Sequence, residues 1–289
     1  MVKHLVTITC TRDKKQMILQ SYSIEKFVLV PCIHWVFIED TSTSLEEWHE
    51  ILKMYYNGIH TLKIIKLDVN ENVGGWHRQE IGKLEAFKYI NDDYITLDTK
   101  NFFFKETYLD WKILEGNGWL SNVDFNYFDE FIDFCSKKLN LPKPQFFNSQ
   151  DTPFKYQKSV MEKIHKVNFS DLIIEASKLN ILACEQVVYD FFTDARYNEY
   201  HMSDEYRKEH MIRFIWWWND LFREEDFEEI LNSKYEMLAI HRNFWLVKNE
   251  KINLICEWLI KEFNFDQKII NDNLIDLEWD PKDLFHREQ

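Results

Sequence analysis

The chain has 289 residues, 45% hydrophobic and 16% aromatic, with only six glycines and five prolines, which is enough to bury a substantial core and excludes disordered and low-complexity classes. Its net charge of −14, from 35 basic and 49 acidic residues, disfavours broad nucleic-acid binding, which needs a surplus of Lys and Arg, while leaving room for a local basic groove. The five cysteines (Cys10, Cys32, Cys135, Cys184 and Cys256) are widely spaced and form no C-x-x-C pair, so reduced, buried thiols in a cytoplasmic protein are expected. The apolar part of MVKHLVTITCTRDKK is too short for a signal peptide. The longest apolar stretch, Phe27–Ile38, contains Pro31 and His34 and falls short of a membrane span. No integral membrane segment is expected.

In chain order, Leu5–Cys10 is a β-branched run that ends in a loop at Thr11-Arg12-Asp13. Met17–Phe27 has helical spacing, with Ile18, Tyr22 and Glu25 expected on the side facing a sheet. Ile33–Ile38 is a second buried strand, closed by Glu39 and Asp40. Ser44 opens a helix through Leu45, Trp48, Ile51, Leu52 and Tyr55, with Glu47 placed for a capping box. Leu62–Leu67 is a third strand, followed by a polar loop to Gly74-Gly75. A helix over 76–89 carries Ile81, Leu84 and Phe87-Lys88 on its sheet side, and Tyr94–Leu97 is a fourth strand ending at Asp98. This alternation implies an α/β fold, a mostly parallel sheet with helices on both faces. Ligands in such sheets bind beyond the carboxyl ends of the strands, where Arg12, Asp13, Asp40 and Asp98 fall.

Beyond about residue 125 the spacing turns mostly helical, near 126–139, 155–166, 170–179, 184–193, 204–222 and 245–263, the last with Ile252, Ile255, Leu259 and Phe263 in register. The expected layout is an α/β half over 1–125 and a largely helical half with an acidic tail over 126–289, packed as one unit. Within Asn148–Phe154, Pro153 marks a helix start. In Phe214–Trp218, three successive tryptophans on a helix cannot share one face, so core packing competes with sugar stacking.

Two neighbouring segments carry the chemistry. Gly75-Trp76-His77-Arg78-Gln79 with Lys83-Leu84 reads GW-x-RQ-x-x-x-KL, and Leu97-Asp98-Thr99-Lys100-Asn101 reads LD-[ST]-K-N. A glycine pair before a helix lets backbone approach a ligand, and helix-start N–H groups favour an anion such as a diphosphate. Arg78 adds a planar fork and Lys83 a point charge, and Gln79 shares the face of Lys83. A glycine turn before a solvated, charged helix is the other reading of the same residues.

Over about residues 5–105 these motifs resemble a group of GT-A-type glycosyltransferases, many from bacteria and phages. The resemblance implies a GT-A-like, Rossmann-like sheet and transfer of a sugar from a nucleotide-sugar donor, a UDP-sugar in the first instance. The acceptor it implies is a glycan, a lipid-linked glycan, a protein or, in a phage, a hydroxylated DNA base. Asp98 stands at the first acid of the D-x-D motif, where carboxylates engage the ribose and a divalent metal, Mn²⁺ or Mg²⁺, on the diphosphate. Lys100 replaces the second acid and offers a metal-free way to stabilise the leaving diphosphate.

His241 resembles a C-terminal histidine that ligates the metal, although a lone His after an apolar run also reads as structural. Asp40, with Thr11 and Arg12 beside it, is placed like the acid that contacts base or ribose. Glu185 resembles a helix-start acid near the acceptor, where a carboxylate deprotonates a hydroxyl; a Glu favoured by the helix dipole reads the same way. The expected donor set is Thr11, Arg12, Asp40, Gly75, Arg78, Gln79, Lys83, Asp98 and Lys100, with Glu185 and Asp98 catalytic and Asp98 and His241 on the metal. Two other classes stay open. A nucleotidyltransferase is disfavoured by the absence of glycine in Thr9–Asp13, and a nucleotide- or nucleotide-sugar-binding module without catalysis is kept open by Lys100.

Overall fold

The β-branched and aromatic runs of the first hundred residues form parallel strands, and the stretches between them cross over as helices. A computed structural model describes residues 3–40, 42–69, 73–109, 125–144, 152–193, 212–215, 224–240 and 250–275. In order these are β1 (Lys3–Thr9), a 3-10 turn (Thr11–Asp13), α1 (Lys14–Phe27), β2 (Cys32–Ile38), α2 (Leu45–Lys53), β3 (Thr61–Lys66), α3 (Gly75–Glu85), α4 (Phe87–Ile90), β4 (Tyr94–Leu97) and β5 (Asn101–Phe103). Then follow α5 (Phe125–Leu139), β6 (Phe154–Tyr156), α6 (Lys158–Ile164), α7 (Phe169–Lys178), α8 (Glu185–Asp190), β7 (Ile212–Ile215), α9 (Glu224–Asn232), β8 (Met237–Ile240), α10 (Glu250–Phe263) and α11 (Gln267–Ile270).

The main sheet has the order β3-β2-β1-β4-β6, parallel except for β6, which runs antiparallel to β4. Thr9 pairs with Ile38 and Thr7 with Leu97, so the carboxyl ends of β1, β2 and β4 open onto one edge. A second, smaller sheet has the order β5-β8-β7. This is the expected fold class, a mostly parallel sheet flanked by helices with a largely helical second half.

Helices cover both faces, so β1 buries side chains in both directions, as parallel strands do. Leu5 joins Leu19, Ile24, Phe102 and Leu238 on one side. Val6 and Ile8 join Ile81, Leu84, Phe131 and Val188 on the other. The Ser44 hydroxyl caps α2 by accepting the Glu47 N–H at 3.1 Å. The Glu47 carboxylate meets Lys14 at 2.9 Å, clipping α2 to the start of α1.

Three expectations are corrected. The buried stripe of α1 includes Met17, Gln20, Ile24 and Phe27, while Ile18, Tyr22 and Glu25 are only partly buried. The reason is that polar Gln20 and Ser23 are buried through hydrogen bonds, which a hydrophobic period does not register. Pro153 precedes a strand, β6, where a helix was expected from 155; Phe154 and Tyr156 both point inward with Lys155 between them, a period of two. Ile212–Ile215, inside an expected helix, is the strand β7 paired with β8. Trp216–Trp218 lie outside the described residues. All five cysteines are free and buried, and among the described residues no helix is long and apolar enough to cross a membrane.

One glycine sets how closely α3 approaches the sheet. A Cβ on Gly82 would stand 2.7 Å from Leu67 Cδ2 and 3.2 and 3.3 Å from two Ile8 side-chain carbons. Gly82→Val overfills this contact and is expected to destabilise the protein by about 2–3 kcal/mol. Chemical denaturation measures it, and an unchanged midpoint would refute the close packing of α3.

Candidate active site at the carboxyl end of the sheet

Lys83 is the centre of the site. Ile81 and Leu84 bury α3 against the sheet, and the same burial carries Lys83 inward, leaving it 7% exposed. Its ammonium stands 3.1 Å from Glu185 Oε1, 3.4 Å from Glu80 Oε1 and 3.6 Å from Asp98 Oδ1. Burial alone would push Lys83 towards neutrality, but Glu80 and Asp98 outweigh it and hold the ammonium above its usual range. Burial pushes the Glu80 carboxyl up to about 7 against the pull of Lys83. Glu80 also accepts the backbone N–H of Glu185 at 3.0 Å. Two further bonds fasten the start of α3 to the loop before α8: Trp76 Nε1 donates to Ala183 O at 2.7 Å, and His77 Nε2 lies 3.1 Å from Ile181 O. Gly74 and Gly75 remain exposed at the helix start, and Gln79 is partly buried on the turn before Lys83.

The Asp98–Asn101 turn is fixed from below by a buried polar chain. Its first link is the Tyr56 hydroxyl, 2.5 Å from His34 Nδ1. Burial holds His34 down to about 3, so the ring is neutral. With Nδ1 accepting, Nε2 carries the proton and donates to Thr7 Oγ1 at 3.0 Å. Thr7 donates to Gln20 Oε1 at 2.8 Å, and Gln20 Nε2 donates to the carbonyls of Asp98 (2.7 Å) and Asn101 (2.9 Å). Asn101 Oδ1 in turn accepts the Asp98 N–H at 2.6 Å and the Thr152 hydroxyl at 2.7 Å. Every link runs in one consistent direction, and the result is a rigid turn that presents Asp98 and Lys100.

Lys100 Nζ lies 2.9 Å from Asp98 Oδ2, with side chains 17% and 27% exposed. Burial raises the Asp98 carboxyl, but Lys100 and Lys83 outweigh it and hold Asp98 well below the usual carboxylate range. The ends of β1 and β2 form the adjoining wall. There the Thr11 N–H and hydroxyl both donate to Asp40, each at 2.8 Å, and Arg12 Nε reaches Asp13 Oδ1 at 3.4 Å. Arg78 donates through Nη1 to Val73 O at 3.0 Å and stands 3.8 Å from Glu39 Oε2. Burial pushes the Glu39 carboxyl up to about 7, against the pull of Arg78.

The structure thus brings Lys83, Asp98, Lys100 and Glu185 into one cluster, and Arg78 with the Thr11–Asp40 clip into the strand ends beside it. His241 lies outside the described residues. Glu185, expected as a base for an acceptor hydroxyl, is wholly buried and paired with Lys83. Sequence reasoning missed Glu80, Glu39, Gln20 and Thr152. Each resembles an ordinary helix, strand-end or turn residue, and only burial reveals it.

Two places among the described residues bear on a divalent metal. Among the described residues, both Asp98 oxygens already face an ammonium, so the cation-binding face of that carboxylate is occupied. Glu80, Cys184 and Glu185 offer ligand atoms within 4.8 Å of one another, but Lys83 already holds both carboxylates, and burial pushes the Cys184 thiol well up, away from the thiolate a metal takes. Neither set fits a divalent ion as it stands.

No family model and no curated protein matches the sequence. Solved structures match it in fold. The bifunctional glycosyltransferase WbbM, in apo form, superposes with a TM-score of 0.54 at 11% identity, over 95% of this chain and 52% of its own. The glycosyltransferase GlyE of Streptococcus pneumoniae TIGR4 matches in apo form with a TM-score of 0.51 at 11% identity, over 94% of this chain and 63% of its own. A second GlyE structure gives 0.52 at 10% identity, over 94% and 62%. The chain spans between about half and two thirds of the length of these proteins. At such identities the likeness is one of fold, and that fold is GT-A-like.

The raised carboxyls give the stability a pH dependence. Glu39 and Glu80 have ordinary values of 4.5 and sit near 7 in the folded protein. A raised acid favours the folded state below its unfolded value, and that contribution is lost as the pH climbs through the folded one. Stability should therefore fall between about pH 4.5 and 7 on account of these groups, by on the order of 3 kcal/mol for each. Glu39→Gln should flatten the slope, as measured by urea unfolding across that range. Parallel curves for the variant and the unmodified protein would count against the assignment.

Proposed function

We propose that this chain is a glycosyltransferase that takes a nucleotide sugar, foremost a UDP-sugar, as its donor. The observation that carries this reading is the convergence of Lys83, Asp98 and Lys100 at the end of β4, on a fold shared with glycosyltransferases. Sugar transfer breaks the bond between the anomeric carbon and the diphosphate, and the electron pair leaves with the nucleoside diphosphate. The acceptor oxygen forms the new bond as it sheds its proton.

The charge that builds on the leaving group is what a preorganised cationic site stabilises. Lys100 meets it at the exposed face of the turn, and Lys83 supports it from beneath. Asp98 is assigned to the donor ribose, and Thr11, Arg12 and Asp40 to the nucleoside at the ends of β1 and β2. Gly75 and the amides that open α3 face the diphosphate, with Arg78 and Gln79 on the same helix. Glu185 and Glu80 act through Lys83 as positioning residues. The acceptor class extends over glycans, lipid-linked glycans and proteins; a DNA base is disfavoured by the net charge of −14.

The test is incubation of the chain with a panel of UDP- and GDP-sugars, reading thermal stability and release of nucleoside diphosphate. A donor at about 100 times its dissociation constant adds about 2.7 kcal/mol. Arg78→Ala should weaken donor binding about tenfold by removing a charged fork, with its unfolding curve recorded alongside. Stabilisation without turnover would make the protein a binding module. No response to any donor would remove the reading.

A further inference from the structure

Resting on that reading of the donor site, we propose that this chain binds a nucleoside diphosphate without a divalent cation, the Lys100 ammonium meeting the diphosphate directly. A metal bridge needs carboxylate oxygens turned towards the ligand and not already neutralised. Asp98 is the acid that the β4 turn presents, and Lys100 stands 2.9 Å from one of its oxygens and Lys83 3.6 Å from the other. Among the described residues, Glu80 and Glu185 are the nearby acids able to complete a ligand set, and both lie beneath Lys83, at most 1% exposed and paired with it. A divalent ion at Asp98 would have to displace two like charges.

The same geometry supplies what the ion would bring. Lys83 and Lys100 together carry two positive charges, on opposite sides of one carboxylate. They are held in place. Lys83 sits in the packed interior of α3, and the turn that carries Lys100 is pinned through Asn101, Gln20 and Thr152. A cation fixed before the ligand arrives needs no reorganisation to receive it. Lys100 is the more exposed of the two, with 17% of its side chain accessible against 9% for Lys83. It is the one that can turn from Asp98 to a phosphate oxygen while Lys83 remains to neutralise Asp98.

The experiment is calorimetric titration of the full chain with UDP and GDP, in chelator and in Mn²⁺, for the unmodified protein and for Lys100→Ala, Lys100→Arg and Lys100→Asp. The expected result is equal affinity in both buffers, within about twofold. Lys100→Ala should lose about tenfold or more in chelator, as removal of a charge-assisted contact does. Lys100→Arg, which keeps the charge, should retain most of the affinity. Lys100→Asp restores a carboxylate pair and frees Asp98 from its outer partner, so its binding should become dependent on Mn²⁺. Nucleotide binding that occurs only with Mn²⁺ overturns the metal-free site and leaves the donor reading standing. Equal affinity of Lys100→Ala and the unmodified protein in chelator also overturns it. Failure of both nucleotides in both buffers takes the donor reading down with it.

Discussion

A single ammonium group, that of Lys83, holds together parts of the chain that are far apart in sequence. Its three carboxylate partners come from its own helix, from the turn after β4 and from the first residue of α8. Burying charge is costly, and removal of the one ammonium would leave buried carboxylates uncompensated, at about 3–5 kcal/mol. The arrangement therefore fixes geometry more than it adds stability. Once Lys83 is inside, the positions of α3, the β4 turn and α8 depend on one another, and the tethers of Trp76 and His77 to the loop before α8 reinforce the same join.

The second constraint is polar as well. The line from Tyr56 through His34, Thr7 and Gln20 to the Asp98–Asn101 turn passes through the middle of an otherwise apolar core. A buried network of this kind is favourable only when its members are satisfied, and then it specifies one arrangement over its neighbours. Here the donors from Tyr56 to Gln20 each meet an acceptor, while Asn101 Nδ2 is buried without one, so the turn is set from the interior through Gln20. Lys100 and Asp98 inherit that precision. Ser23 adds a branch, accepting the Phe103 N–H and donating to Gln20 O, which ties β5 to the same helix.

The first four strands, the Ser44 cap and the position of Asp98 at the end of a strand were legible in the sequence, because period-two runs, caps and strand-end charges leave local marks. The buried face of α1 was not. Its stripe contains Gln20 and Ser23, which hydrophobic patterning assigns to solvent, and their partners lie some eighty residues away. Glu80 failed for the same reason, since on a helix rich in charge it resembles a solvated residue until Lys83 is known to be inside. The short strands β6 and β7 span three and four residues, fewer than a periodic signal needs, and they exist because β4 and β8 offer them an edge. Glu185 was found for its position at a helix start, but its burial has no local signature.

The tether between α3 and the loop before α8 has a consequence for how the molecule is made. During synthesis the four parallel strands can assemble once residue 97 has emerged, yet at that stage Lys83 would face Glu80 and Asp98 without Glu185. The partner arrives about a hundred residues later, together with Ala183 and Ile181, which receive Trp76 and His77. Contacts that span such a separation form late, because the loop must close before they return anything. The nascent sheet thus emerges with an unfinished cation at its open edge, and the site closes only when the second half of the chain folds back over the first.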